Sequence, residues 1–197
     1  MSRGLFFLIA GPAGVGKTTL LKRFVLEEKG LVKAVSVTTR APRPGEVDGA
    51  AYFFWDEPRF KAAVARGEFL EHALVHGNHY GTPARFVAEQ LAAGTDVVKD
   101  IDVQGVQQIR SRPEYRGPAS VAVFVMPPSH EELVRRLRGR GSEDEQSFMI
   151  RLRTAEAEMV RCGEYEYVVV NDTLDAALAR LKAIRLAEHC RQRVGAV

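Results

Sequence analysis

The sequence contains little cysteine: Cys162 and Cys190 are the only two in 197 residues. They form no CxxC pair and no metal-ligand cluster with the histidines, which argues against a cysteine-based metal site or a CxxC redox motif. Two cysteines so placed favour free thiols over a structural disulfide. We therefore expect a reducing, cytoplasmic setting.

Long apolar runs are also missing. The first, Leu5–Ala10, is too short to cross a membrane, and the glycine-rich segment after it lacks the layout of a signal-peptide cleavage site. The formal net charge is only +3, which by itself does not argue for a nucleic-acid partner. We expect neither a membrane nor a nucleic-acid partner.

Four apolar, β-branched runs predict buried strands at residues 5–10, 95–101, 119–126 and 166–170. A segment of helical periodicity follows each run. This alternation is typical of parallel strands joined by crossover helices, so we predict an α/β fold with a parallel sheet core flanked by helices. The length fits one domain.

Residues 32–82 differ from this frame. Short alternating or aromatic stretches there are broken by prolines and glycines, which predicts a small, partly antiparallel lobe inserted into the α/β frame. Within it we predict a helix over residues 56–66, with Asp56 as N-cap and Pro58 in the first turn.

The segment 138–147, RGRGSEDEQS, is charged, glycine-punctuated and nearly free of apolar groups. It has too little apolar surface to anchor in a core, so we predict a mobile flap between two helices. The second of these helices carries an apolar stripe of Phe148, Leu152, Ala155 and Met159. A last helix is predicted over 173–193, packing through Leu174, Leu178, Leu181 and Ile184.

The strongest motif is GPAGVGKT, a complete phosphate-binding loop between a predicted strand and helix. Its glycines let backbone N–H groups converge on phosphate oxygens, and the helix N-terminus adds favourable dipole charge. Lys17 supplies a positive charge to the β- and γ-phosphates, and the Thr18 hydroxyl is placed to ligate Mg²⁺. The expected donor-binding residues here are Gly11, Pro12, Ala13, Gly14, Val15, Gly16, Lys17, Thr18 and Thr19.

This loop serves both switch-type hydrolases and kinases of small molecules. The segment Asp102-Val103-Gln104-Gly105 matches the DxxG pattern of GTPases and supports the first class. The Asn-Lys-x-Asp element that reads guanine in GTPases is absent, because the late strand ends in Asn171-Asp172 with no lysine between them. The kinase class is favoured.

A kinase needs a second anion site for its acceptor. Arg40 and Arg43 lie among prolines, with Tyr52 shortly after them, and such a set suits a monophosphate ester. A solvated surface loop is the alternative for this stretch. Further on, the Glu71 carboxylate could accept two hydrogen bonds from the N1–H and amine of guanine, or could be a surface charge.

Taken together, seven ordered motifs resemble guanylate kinase of the soluble bacterial and eukaryotic type: GPAGVGKT, SVTTRAPRPGE, EFLEH, GNHYGT, DIDVQG, RGRG and VVVND. The resemblance spans roughly residues 4–190. It implies a P-loop nucleoside-monophosphate-kinase fold in a single domain. The core would comprise residues 1–34, 83–137 and 148–197, the GMP-binding lobe about 35–82 and the lid about 138–147.

The resemblance also implies an activity and its residues. The family transfers the γ-phosphate of ATP to GMP, and dGMP is a further expected acceptor, with Mg²⁺ as cofactor. Guanine would be read by Ser36, Glu71, Thr82 and Asp102, and the GMP phosphate held by Arg40, Arg43, Tyr52 and Tyr80. Catalytic contacts to the transferring phosphates would come from Lys17, Asp100, Arg136, Arg140 and Arg151, and Asn171 and Asp172 would lie beside adenine.

The chain departs from the family pattern at two points. Thr82 stands where serine is frequent and keeps the hydroxyl, while Lys99 occupies a usually apolar position and has no assigned role. His72 and His79 are expected to be structural or solvated. Two alternatives remain: a non-catalytic guanylate-kinase-like module that binds proteins, and a kinase with a different small acceptor.

Overall fold

The computed structural model describes residues 3–75, 77–116, 120–139 and 145–191. Its strands are β1 (Phe6–Ala10), β2 (Leu31–Lys33), β3 (Val37–Thr38), β4 (Phe53–Phe54), β5 (Phe69–Val75), β6 (Asn78–Pro83), β7 (Asp96–Asp100), β8 (Ser120–Met126) and β9 (Tyr167–Val170). Its α-helices are α1 (Lys17–Glu27), α2 (Glu57–Ala65), α3 (Ala84–Ala92), α4 (Val103–Ser111), α5 (His130–Arg138), α6 (Glu145–Met159) and α7 (Leu174–Cys190).

The main sheet has five parallel strands in the order β2-β7-β1-β8-β9. Side chains alternate across it, so that Phe6 and Leu8 pack on one face and Phe7 and Ile9 on the other. Both faces are covered by helices, which is why these strands are apolar along nearly their whole length. The four predicted strands are confirmed to within one residue.

The fifth strand, β2, was not predicted. It has only three residues at the edge of the sheet, and of these only Leu31 is fully buried. So short a run carries no periodicity that would distinguish a strand from a loop. Its pairing with β7 depends on tertiary contact, because residues 31–33 lie opposite residues 96–98.

A second sheet lies between β2 and α3 along the chain, in the order β4-β3-β6-β5. Strand β6 runs antiparallel to β3 and β5, whereas β3 and β4 are parallel, so the predicted partly antiparallel arrangement is confirmed. The small core of this sheet is formed by Val37, Phe60, Ala63 and Phe69.

The predicted helix starts in this region and at the C-terminal end of the chain agree with the structure. Asp56 caps α2 by accepting a 2.7 Å hydrogen bond from the Arg59 amide, and Thr173 caps α7. Leu178 and Leu181 of α7 are buried against α1 and the main sheet. Residue 193, the predicted end of the last helix, lies outside the described residues.

Helices α5 and α6 flank the predicted flap. Phe148, Leu152 and Ala155 are buried against Leu133 and Leu137 of α5, and Met159 packs beside them, so the predicted stripe is confirmed. The Arg138 guanidinium lies 4.3 Å from the Phe148 ring centroid. Residues 140–144, the centre of the flap, lie outside the described residues. Within the described ranges, no helix is long and apolar enough to cross a membrane.

Candidate functional site

The loop between β1 and α1 is shaped by backbone conformations that favour glycine. Gly16 has φ 94° and caps α1 without a side-chain hydrogen bond. A Cβ on Gly16 would lie 2.6 Å from Asn171 Nδ2, and one on Gly11 would lie 2.3 Å from the Val125 carbonyl oxygen. The loop is therefore held against β8 and the residue that follows β9, with no room for side chains at these positions.

Distant residues support the loop through hydrogen bonds to one carbonyl. The Val15 oxygen accepts from Asn171 Nδ2 at 2.7 Å and from Arg136 Nη1 at 3.2 Å. Arg136 also donates to the Asn171 carbonyl at 3.1 Å. Glu132 holds Arg136 from the preceding helical turn, with 2.6 Å between Oε1 and Nε. The hydrogen bonds of Arg135 and Arg136 lower the pKa of Glu132 to about 2.

Lys17 lies at the first position of α1 and folds back toward the loop. Its Nζ donates to the Gly11 carbonyl and, at 3.2 Å, to the Pro12 carbonyl. Thr18 and Thr19, the next two residues, are exposed at the open side. Exposed hydroxyls and an ammonium at a helix N-terminus form a surface suited to a polyphosphate.

One cavity of about 540 Å³ connects this loop with the inserted sheet. It is bounded by loop residues including Gly11, Ala13, Lys17 and Thr18. From the other side Ser36 and Tyr52 line it, together with Asp100 at the end of β7 and Asp102 just after that strand. The structure thus brings predicted donor and acceptor residues to a single space.

The predicted phosphate-holding residues of the acceptor form a partly paired cluster. Arg40 makes two hydrogen bonds of 2.9 Å to the Glu46 carboxylate, which also accepts from the Arg43 amide at 2.7 Å. The hydrogen bonds to Glu46 are the main reason that the pKa of Arg40 is raised, and the hydrogen bond to Tyr80 raises it further. The Arg40 guanidinium lies 5.4 Å from the Tyr52 ring centroid, and Tyr52 packs edge-on against Tyr80.

Three of the predicted base-reading residues hold hydrogen bonds to side chains of adjacent elements. The Thr82 hydroxyl donates to Glu71 Oε1 at 2.5 Å, across the β5–β6 hairpin. The Ser36 hydroxyl accepts from Lys99 Nζ of β7. Threonine at position 82, where serine is frequent in the family, is compatible with this site because its hydroxyl is oriented toward Glu71.

The DxxG segment has a local structural explanation. Asp102 is the N-cap of α4 and accepts a 2.7 Å hydrogen bond from the Gly105 amide. A Cβ on Gly105 would lie 2.6 Å from the Ile101 side chain, so close packing accounts for this glycine. The spacing of Asp102 and Gly105 is that of a helix cap, which removes the observation that favoured a GTPase switch.

Other predicted positions have different surroundings. The Asn171 side chain is buried beneath the phosphate loop, and Asp172 pairs with Arg180 at 2.7 Å, which lowers the pKa of that carboxyl. Arg151 lies half-buried on α6. Arg140 falls outside the described residues.

Sequence reasoning missed some of the groups that face the cavity. Lys99 stood out as a charge inside an apolar run, but that pattern did not indicate what it contacts. Lys33 and Glu158 also line the cavity. The sequence did not single them out, because charged residues are common in edge strands and on helices. Burial raises the pKa of Glu158, while Lys17 acts in the opposite direction. The two histidines behave as expected: His72 is exposed, and His79 stacks on Phe60.

A parallel sheet with a phosphate loop after its central strand, covered by helices on both faces, defines the class of P-loop nucleotide-binding proteins. Comparison with known proteins identifies the family. The guanylate kinase family model matches residues 4–188. The chain belongs to the guanylate kinase family.

Individual relatives agree with this assignment. A guanylate kinase of Dechloromonas aromatica is 48% identical over 92% of this chain and 88% of that protein. One from Caldanaerobacter subterraneus is 43% identical over 96% of this chain and 90% of that protein. The crystal structure of guanylate kinase from Anaplasma phagocytophilum superposes with a TM-score of 0.75 at 34% identity, covering 99% of this chain and 92% of that one.

Proposed function

We propose that this protein transfers the γ-phosphate of ATP to GMP, giving ADP and GDP, with dGMP as a further acceptor. The observation that carries the proposal is the single cavity that joins Lys17 and Thr18 of the phosphate loop to Ser36 and Tyr52 of the inserted sheet. A hydrolase needs only the first half of that cavity, whereas a kinase needs both. Membership of the guanylate kinase family supports the same activity.

The donor half holds ATP through backbone amides and Lys17. Bound phosphate oxygens take over the Lys17 hydrogen bonds that the Gly11 and Pro12 carbonyls now accept. Mg²⁺ fits this end, because the Thr18 hydroxyl and the Asp100 carboxylate line the same cavity and oxygen donors suit that ion. The ion would offset charge on the ATP phosphates. Asn171 supports the loop from below, and Asp172 lies beyond it, toward adenine.

The acceptor half holds GMP. Arg40 and Arg43, with the phenols of Tyr52 and Tyr80, bind its phosphate, and planar guanidinium groups suit that anion. The base is read by Glu71, Thr82, Ser36 and Asp102. Glu71 accepts from the two N–H groups on the guanine edge, and the Thr82 hydroxyl donates to Glu71 and orients its carboxylate.

Transfer requires that the two halves close around the phosphates. In this proposal the inserted sheet with α2 is the GMP-binding lobe, and residues 138–147 are a lid that closes over ATP. Closure excludes water and brings Arg140 and Arg151 to the transferring phosphate, and Arg136 joins them by exchanging its hydrogen bonds to the Val15 and Asn171 carbonyls for phosphate oxygens. Arg140→Ala should lower kcat by about 10²-fold, as loss of a preorganised donor does. An unchanged kcat would remove Arg140 from the mechanism.

A coupled assay of ADP release with GMP, dGMP, AMP, CMP and UMP tests the function. We expect turnover with GMP and dGMP and little with the other three. Glu71→Gln should reduce GMP use, because one acceptor becomes a donor that faces a donor. Glu68→Gln is the matched control, since Glu68 pairs with Arg66 on the surface. Absence of activity with GMP would overturn the proposal.

We also propose a cytoplasmic location. Cys162 and Cys190 are both free thiols, as expected in a reducing compartment. Fluorescence microscopy or cell fractionation with a tagged chain would check this assignment.

A further inference from the structure

Lys99 is a buried charge that the proposed mechanism does not use. It lies in the interior of β7, opposite Leu8 of β1, and is only 7% exposed. Lysine is seldom buried unless its ammonium has a partner, because removing the charge from water is costly. A residue kept at such a cost in a central strand calls for a function.

The surroundings of Lys99 belong to the acceptor half of the cavity. Its Nζ donates to Ser36 Oγ, and both residues line the cavity wall. The carboxylates of Glu71, Asp100 and Asp102 lie within electrostatic range of this side chain, as does the Lys33 ammonium. Lys99 is therefore placed behind one base-reading hydroxyl and within the field of the base-reading carboxylates.

The hydrogen bond to Lys99 decides what Ser36 can offer to a ligand. An ammonium has only donors, so Ser36 Oγ must act as its acceptor. The hydroxyl hydrogen then points away from Lys99, and Ser36 is presented to the cavity as a donor. Without Lys99 the same hydroxyl could rotate and accept a hydrogen bond instead.

A fixed donor distinguishes the two purine bases. Guanine carries acceptors at O6 and N7, whereas adenine carries a donor amine at the position of O6. A donating Ser36 matches guanine O6 and opposes the adenine amine. Glu71 accepts hydrogen bonds from the N–H groups on the neighbouring edge of the base. Ser36 would therefore recognise an acceptor, and Glu71 would recognise donors, on the same ring.

We propose that Lys99 is a positioning and specificity-determining residue that holds Ser36 as a hydrogen-bond donor toward the purine base of the acceptor. This inference rests on the proposed GMP kinase function. Lys99 touches Ser36 rather than the reacting phosphates, so it affects acceptor binding and selectivity and leaves the donor site unchanged.

A double-mutant cycle tests the inference with Lys99→Met, Ser36→Ala and the combined variant. For Lys99→Met we expect KM for GMP to rise by about tenfold, the effect of losing one good hydrogen bond, with kcat and KM for ATP within about twofold. The preference for GMP over AMP should fall by a similar factor. In the Ser36→Ala background, Lys99→Met should raise KM for GMP by less than about a further twofold. The reason is that Lys99 acts on the ligand only by orienting the Ser36 hydroxyl, which this background lacks.

Two comparisons separate this role from a general effect of charge or folding. Lys33→Met removes a positive charge from the wall of the same cavity, and we expect it to leave the GMP-to-AMP preference unchanged. Methionine keeps the apolar stem of the lysine while removing its charge and its donors, and thermal unfolding will check that the variant folds. If Lys99→Met does not fold, Lys99→Leu carries the same cycle.

The outcomes distinguish the inference from the function beneath it. Wild-type protein without GMP activity overturns the proposed function. An active wild type with additive effects of Lys99→Met and Ser36→Ala, or with an unchanged GMP-to-AMP preference in Lys99→Met, overturns the role of Lys99 alone.

Discussion

The phosphate loop and the inserted sheet line one cavity but are built in opposite ways. The loop is shaped by its backbone and pressed against buried partners, since a Cβ added at Gly16 would lie only 2.6 Å from Asn171 Nδ2. In the inserted sheet and its connecting loops, the groups that we propose to recognise the acceptor are side chains that already hold hydrogen bonds. Arg40 pairs with Glu46, and Thr82 pairs with Glu71.

This difference predicts where each half would obtain its binding energy. We expect the loop backbone to change little when a phosphate binds, although Lys17 must exchange its hydrogen bonds to the Gly11 and Pro12 carbonyls for phosphate oxygens. In the inserted sheet a ligand must compete with, or add to, hydrogen bonds that are already made. Substitutions in the loop should therefore affect turnover and folding, and substitutions in the sheet should affect KM for the acceptor.

The largest effect is expected for Gly16→Ala. The added Cβ meets Asn171 Nδ2 and displaces the loop, and a misplacement of about 1 Å can cost about 10²-fold in rate. Gly67→Ala is the matched control, since Gly67 has a comparable φ of +70° with no atom within 4 Å of its Cβ. We expect kcat to fall by at least about 10²-fold in the first variant and to change little in the second. Equal losses of kcat for the two variants in steady-state assays would show that backbone strain at positive φ, rather than the contact with Asn171, causes the effect.

The next effect is expected for Arg40→Lys, which tests the acceptor side. Lysine keeps the charge but loses the planar pair of donors, and hydrogen bonds to charged groups contribute about 1.5–3 kcal/mol. We expect KM for GMP to rise by at least about tenfold, with KM for ATP unchanged. Arg59→Lys, on a side chain that stacks on Trp55, serves as control. A fall in kcat without a change in KM would break the distinction between the two halves.

Asn171→Ala should produce a smaller effect, on stability. It removes the 2.7 Å hydrogen bond to the Val15 carbonyl in a buried position, and such losses cost about 1–3 kcal/mol. The neighbouring Asp172→Asn weakens an exposed ion pair with Arg180, where about 0–1 kcal/mol is usual. Urea unfolding of both variants measures the contrast. A larger loss for Asp172→Asn would contradict the view that buried contacts hold the loop.

The smallest effect concerns Glu132, which holds Arg136 beneath the loop. Its pKa is lowered to about 2 from 4.5 by its hydrogen bonds with Arg135 and Arg136. The stabilisation is therefore present above pH 4.5 and is lost as the pH falls through about 2. The difference in unfolding free energy between wild type and Glu132→Gln should shrink over that range. A difference independent of pH would show that this carboxylate does not stabilise the fold through its charge.

Local patterns predicted the strands of the main sheet because burial on both faces requires continuous apolar runs. The same reasoning failed for β2, where three residues form a strand only because β7 lies beside them. In the site, the phosphate loop was predictable from its glycines and lysine. The pairing of Ser36 with Lys99, 63 positions apart, was not, because no local pattern encodes a contact between two sheets.

The sequence by itself determined the donor loop, the α/β frame and the family resemblance, since each follows from residues close together in the chain or from ordered motifs. Only the tertiary structure decided that Arg136 and Asn171 support the loop and that Lys99 lies behind Ser36. The physical reason is that hydrogen-bond partners are chosen by proximity in space. Buried polar groups take whichever partner the packed fold brings within reach.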